Sequence, residues 1–304
     1  ITPSAVNQYM RCPLQFFYNY VAKIKEPDNT DEDTVDNRIF GNIFHKAAFY
    51  IYKDMAGNDG LIKSGDIDRY LKDPRIIESV VDRVFNEELF KSDNIRKAPE
   101  YNGLQIINRE VIIGYLRQLM RLDREMTPFK ILGLETPAYD TVCFNTSRGE
   151  REIEIGGIID RMDVTENALE KIRIVDYKTG RQPLKKTNSL DEIFSSDSIE
   201  DKHGDYFFQV MLYSLIISTS EEYGKSGKPV SPALFFIRHS MQDRYDPTLT
   251  IADEPIDDIR KYAGEFVGKL KDVLGEIFDS QTSFVPTEHK TRCISCPYKS
   301  ICCI

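Results

Sequence analysis

IRIVDYKTG, residues 172–180, is the stretch on which the reading of the fold turns. Ile172, Ile174 and Val175 form the apolar part of a strand bound for a core. The same strand then carries Asp176 and Lys178 before ending at Gly180. Strand side chains alternate between faces, so this carboxylate and this ammonium point the same way. An exposed pair of this type contributes well under ~1 kcal/mol, so its place at the end of a buried strand asks for another reason. Upstream, GGIIDRMDV (156–164) sets Asp160 after a run of small and isoleucine residues, with Asp163 three positions later. If the two strands pair, Asp160 and Asp176 converge at one end of the sheet. Two carboxylates beside an amine can hold Mg²⁺ or Mn²⁺ and activate a water.

The surrounding pattern places these strands in an α/β chain. FKILGLETPAYDTVCF (129–144), REIEIGGIIDRMDV (151–164) and KIRIVDYKTG (171–180) read as consecutive strands, the last two joined by the turn TENALE. Residues 4–21 read as a helix capped by Ser4 and divided at Pro13. Residues 38–55, 73–90 and 104–126 carry the i, i+3, i+4 periodicity of amphipathic helices, so the first 128 residues are mainly helical. After the strands, residues 181–205 are polar and aperiodic, and are expected to be a lid or a disordered insertion. A helix over 206–224, a strand over 231–240 and a helix over 256–278 follow. The acidic run 25–37 reads as a solvated loop.

The bulk numbers exclude some classes. The chain has 304 residues, 41% hydrophobic and 29% charged, an ordinary globular balance that allows one large domain. No apolar run approaches the roughly 18 residues of a membrane span. The start at Ile1, with no Met and no secretory leader, reads as a fragment of a longer protein. A net charge of −9 argues against a general basic coat for DNA but not against a metal-bridged or partner-assisted contact. Four of the six cysteines lie in the last twelve residues, and in a reducing compartment such clustering points to metal rather than disulfides.

The motifs, taken in order, resemble the PD-(D/E)XK nuclease superfamily, and within it the RecB- and AddB-type nuclease domains. GNIFHKA (41–47) is similar to their G-x-x-x-H helix motif and GGIIDRMD to their G-x-I-D-R-x-D strand. DYKTG is similar to their D-Y-K-(S/T) strand, and QVMLY (209–213) to their Q-x-x-x-Y helix. The resemblance implies a restriction-endonuclease-like mixed sheet flanked by helices, in one domain of three parts. These are a helical region over 1–128, a catalytic core over 129–280 and a cysteine loop over 281–304. It implies His45, Asp160 and Asp176 as metal ligands and Lys178 as the catalytic lysine, with Gln209 and Tyr213 steadying the site and the strand. Glu135 is a further candidate acid. Asp163, an odd number of positions from Asp160, faces the other way on a regular strand, and Arg161 pairs with a phosphate or merely with Asp163.

Cys12 followed by Cys293, Cys296 and Cys302 is similar to the iron–sulfur staple of AddB-type domains, in which a [4Fe–4S] cluster ties the start of the domain to its end. Four thiolates also suit Zn²⁺, and Cys303 competes with Cys302 as a ligand. Cys143 is expected to be a buried small hydrophobe. The resemblance further implies a cytoplasmic, metal-dependent deoxyribonuclease, acting as an exonuclease on DNA beside an AddA-like helicase–nuclease partner in double-strand-break repair. The rival readings are an inactive DNA-binding module of the same fold and a zinc-stabilised interaction domain.

Overall fold

The computed structural model describes residues 1–24, 35–91, 99–165, 170–181, 183, 185–239 and 245–302. Most of the acidic run, the middle of TENALE and Cys303 lie outside the described residues.

The chain opens with α1 (Pro3–Arg11), an extended Cys12, α2 (Pro13–Phe16) and one π-helical turn, Phe17–Val21. Pro13 divides the helix as its missing N–H dictates. The cap, however, is Thr2, whose hydroxyl accepts from the Ala5 N–H, and not Ser4. Next come α3 (Asn37–Ala56), β1 (Leu61–Ile62), α4 (Ser64–Lys72), α5 (Pro74–Glu88) and α6 (Gly103–Glu125). Asp36 caps α3 through the Ile39 N–H at 2.7 Å. Ile43, Phe44, Ala47, Ala48 and Ile51 bury one stripe of that helix.

A long hairpin, β2 (Phe129–Thr146) and β3 (Gly149–Thr165), precedes β4 (Ile172–Lys178). Residues 190–201 contain α7 (Leu190–Ile193) and α8 (Ser198–Asp201), followed by α9 (Gly204–Thr219) and β5 (Val230–Phe236). The chain ends with a small ribbon, β6 (Thr250–Ile251) and β7 (Glu254–Pro255), then α10 (Ala263–Phe278), α11 (Lys290–Cys293) and α12 (Lys299–Cys302). The five-stranded sheet runs β1-β2-β3-β4-β5, antiparallel except for the parallel pair β4–β5. A parallel pair needs a crossover, and α9 lies on it.

β4 is buried on both faces. Ile172 and Ile174 belong to the apolar core that holds α9 and α10, whereas Val175 and Tyr177 belong to that of the α3–α5–α6 layer. A helix apolar all round belongs in an interior, and Phe207, Phe208, Met211 and Leu212 of α9 are all buried. Among the described residues no helix is long and apolar enough to cross a membrane.

Two further expectations change, and one open choice closes. The described part of 181–205 is not a loose lid: Leu190 and Ile193 close onto the α9 core, with Ile193 fully buried. Ile193→Ala should therefore cost about 2–3 kcal/mol in chemical denaturation; a loss below ~0.5 kcal/mol is what a loose insertion would give. Cys143 is exposed, because Phe144 takes the inward position of β2 and alternation turns Cys143 out. Arg161 is fully buried and serves the core rather than a phosphate. It pairs with Asp123 at 2.6 Å and Asp163 at 2.8 Å, while Asp163 also accepts from Arg173 at 2.7 and 2.9 Å. Asp163 is thereby a structural anion.

Candidate active site

The β3–β4 ladder pairs Arg161 with Val175 and Met162 with Ile174. The ladder ends at Arg161↔Val175, and just beyond it Asp160 and Asp176 are close enough for the Asp160 charge to raise the Asp176 carboxyl. The ladder stops there because the Asp160 carboxylate takes over: its Oδ2 accepts the Tyr177 N–H at 2.8 Å. On the other side of β3, the register with β2 passes from Leu134↔Arg161 to Thr136↔Ile159 without a Glu135–Asp160 pair. Glu135 has φ +47°, the left-handed region that a non-glycine residue rarely adopts. Alternation breaks at the same level, since Ile159 and Met162, three apart, both reach the α9 core. The two interruptions together turn Glu135 and Asp160 toward His45 of α3.

His45 Nδ1 lies 3.1 Å from Asp160 Oδ1. His45, Glu135 and Asp160 each offer a ligand atom, all within 4.8 Å of one another. Asp176 is turned to its neighbour instead: Lys178 Nζ sits 2.8 Å from Oδ2, an ion contact off hydrogen-bonding alignment. Lys178 is further held by Gln209 Oε1 at 3.4 Å and by the Tyr206 ring, whose centroid is 4.5 Å away. Tyr213, one turn beyond Gln209, is buried, hydrogen-bonds Gln209 and places its hydroxyl against the backbone at Gly157. A side chain at 157 would occupy that space, which is why glycine stands there.

The charges are crowded. Burial pushes the Asp176 carboxyl up, Lys178 draws it back and Asp160 adds to the rise. Glu135 is pushed up to about 7 by partial desolvation and then by the Asp160 charge. Burial also works against the Asp160 anion, but His45, the Tyr177 N–H and Lys178 hold its pKa below the ordinary carboxylate value. For His45, burial favours the neutral ring, yet Asp160 and Asp176 raise its pKa overall. Burial likewise opposes the Lys178 ammonium, and Asp176 outweighs it. Carboxyls that resist ionising together are the condition a bound cation relieves. The oxygen-rich donor set with one imidazole suits Mg²⁺ or Mn²⁺.

Of the residues singled out in the sequence, His45, Asp160, Asp176, Lys178, Gln209, Tyr213 and Glu135 come together. Asp163 and Arg161 do not. Tyr206 gives no signal of its own, because an aromatic residue at the start of an apolar helix reads as core. The Tyr177 N–H gives none because a backbone donor has no sequence signature.

Some distance away, the chain ends meet. Leu14 N–H donates to Val285 O at 3.1 Å, Tyr298 hydroxyl to Ile24 O at 3.0 Å, and Arg292 to Arg11 O at 3.3 Å. Cys12, Cys293, Cys296 and Cys302 are half-buried and outside any disulfide. Burial raises the Cys302 thiol, and Cys296, Cys12 and Cys293 add to the rise, so the four sulfurs are neighbours.

The family model of the PD-(D/E)XK nuclease superfamily matches residues 1–303. The B-type subunit of the ATP-dependent helicase/deoxyribonuclease of Thermoanaerobacter sp. (strain X514) is 26% identical over 277 residues, covering 88% of this chain and 21% of the relative. The protein of the same name from Caldanaerobacter subterraneus subsp. tengcongensis is 22% identical over 347 residues, covering 98% and 29%. That of Clostridium tetani is 24% identical over 238 residues, covering 76% and 18%. The chain thus spans about a fifth to under a third of the curated relatives it matches. Its ordered strand motifs, its curled mixed sheet and the whole-length match agree on one conclusion: the chain belongs to the PD-(D/E)XK nuclease superfamily.

Proposed function

We propose that this chain hydrolyses DNA phosphodiesters with a divalent cation held by His45, Glu135 and Asp160, with Asp176 beside it. One observation carries the reading: three ligand atoms within 4.8 Å stand beside an ammonium fixed 2.8 Å from a further acid. When bound, Mg²⁺ or Mn²⁺ supplies positive charge against the phosphate and lowers the pKa of water beside it. Lys178, as an ammonium, orients the attacking water or a non-bridging phosphate oxygen by donating to it. Asp176 and Gln209 fix its position, and Tyr213 fixes Gln209. The Tyr177 N–H holds the Asp160 carboxylate in the plane it needs.

The low-identity relatives support a place in a helicase–nuclease assembly, with an AddA-like partner delivering unwound strands for exonuclease action in double-strand-break repair. A chain of net charge −9 fits a substrate delivered by a partner better than one captured by a basic surface. The test is cleavage of labelled single-stranded and duplex DNA during titration with Mg²⁺, Mn²⁺ and Ca²⁺. Metal-dependent shortening of end-labelled strands supports the reading. Tight binding with no cleavage in any metal would favour an inactive DNA-binding module.

Cys12, Cys293, Cys296 and Cys302 would hold a [4Fe–4S] cluster that pins the first helix to the last residues. The resemblance of this cysteine frame to that of AddB-type domains supports that assignment over zinc, and the group would contribute structurally. Cys12→Ser is expected to lose iron and about 2–4 kcal/mol of stability, as the loss of a long loop closure does. Protein purified anaerobically should be brown and carry iron; colourless protein with one zinc per chain would overturn the assignment.

A further inference from the structure

His203 stands immediately before α9 with φ +50° and ψ +47°, a left-handed backbone that a residue with a Cβ seldom takes. The bend folds its ring back over the first turn of the helix. There it stacks on Tyr206, three residues on, with centroids 4.7 Å apart and planes at 10°. The same Tyr206 ring has the Lys178 ammonium 4.5 Å from its centroid, within cation–π range. Phe236, at the end of β5, closes the group at 6.4 Å from His203 and 6.3 Å from Tyr206. We propose that His203 is a positioning residue for strand cleavage: it fixes the plane of Tyr206 and, through that ring, the Lys178 ammonium. The proposal rests on the nuclease reading given above.

More than a turn is built here. The His203 ring donates to the backbone of Arg181, just past β4, and so ties the start of α9 to the strand that bears Lys178. Burial lowers the His203 pKa below the ordinary histidine value and the Lys178 charge adds to this, against the pull of Asp205. A neutral ring is what an aromatic facing a cation needs beside it, because a second cation on the same ring would repel the first. The other restraints on Lys178 leave a freedom. Asp176 meets it at 2.8 Å off hydrogen-bonding alignment, and Gln209 at 3.4 Å is a long contact. The Tyr206 face supplies the third direction, and it is only as steady as the plane of its ring. Lys178 serves the reacting water or phosphate rather than capture of the strand. Loss of the plate should therefore appear in turnover and not in binding.

The test measures kcat and KM separately for strand cleavage in Mn²⁺ by the 304-residue chain and its variants. His203→Asn tolerates the left-handed backbone and keeps a donor for Arg181, but removes the plate. His203→Phe keeps a plate and loses the donor. The asparagine variant should lower kcat about tenfold, the upper end for one aromatic pair, with KM changed less than about twofold. The phenylalanine variant should recover most of that loss. On a Tyr206→Leu background the asparagine change should cost nothing further, since its effect passes through that ring. The reverse order, with asparagine near wild type and phenylalanine impaired, would assign His203 to the turn alone and overturn the proposal. Equal kcat in all variants would overturn it too. Melting curves check that each variant folds. A spectroscopic readout needs no turnover: with lysines ¹³C-labelled at the ε-carbon, the resonance missing from Lys178→Arg is that of Lys178, displaced by the Tyr206 ring. His203→Asn should return it toward the ordinary lysine position, and His203→Phe should leave it in place. If the wild type cuts no strand, the nuclease reading fails instead, and this resonance decides the positioning role. An unmoved signal in His203→Asn refutes it.

Discussion

Lys178→Ala is expected to lower strand cleavage by about 10²–10⁴-fold, the range for a group that orients a reacting water or proton. The expectation rests on how firmly the ammonium is held. Asp176 stands 2.8 Å away, Gln209 3.4 Å, and the Tyr206 ring 4.5 Å. Three contacts from two elements fix one nitrogen at the mouth of the site, which is the preorganisation that charge stabilisation requires. Strand binding in Ca²⁺ should change only a few-fold, because one cation contributes little to total affinity. Single-turnover cleavage with a melting control separates loss of chemistry from loss of fold. Equal rates for Lys178→Ala and the wild type would remove Lys178 from the mechanism.

Arg161→Ala is expected to destabilise the fold by about 3–5 kcal/mol, the usual penalty for removing one member of a buried ionic cluster. Arg161 has no exposed surface and meets Asp123 at 2.6 and 3.0 Å. Four rings, Tyr52, Phe129, Tyr177 and Phe235, surround its guanidinium at 4.9–5.7 Å. Tyr52 also hydrogen-bonds Asp123. Removing the cation strands the Asp123 anion, whereas Asp163 keeps Arg173. Pairing Arg161→Met with Asp123→Leu should recover part of the loss, since an apolar replacement of a whole buried pair is often tolerated. Urea denaturation measures both variants. A loss under ~1 kcal/mol for Arg161→Ala would show that the cluster is not a structural keystone.

How far the sequence can be read follows from which forces act locally. The strand IRIVDYK and the helix over 38–55 are legible because one apolar stripe and one alternation decide each of them. The nearness of Asp160 to Asp176 is legible once the strands are allowed to pair. Arg161 stays open between a phosphate and Asp163 in the sequence because a guanidinium suits either, and only the third dimension adds Asp123, thirty-eight residues upstream, to the Asp163 contact. The segment 181–205 misleads because Leu190 and Ile193 are too few to show a period, yet they suffice to dock α7 on the α9 core. Glu135 is only a loose candidate in the sequence for a similar reason. Its approach to Asp160 depends on one backbone torsion that no residue pattern announces. α4, the short helix over Ser64–Lys72, goes unread because its two buried residues, Ile67 and Tyr70, leave little stripe to detect.

That torsion has an engineering consequence. A left-handed glutamate strains the backbone by about 1–3 kcal/mol, and glycine at 135 would relieve it. A library selected for thermal tolerance alone would thus favour glycine at this position and discard an oxygen donor in the same step. Robustness and the proposed cation affinity would compete there for a single codon.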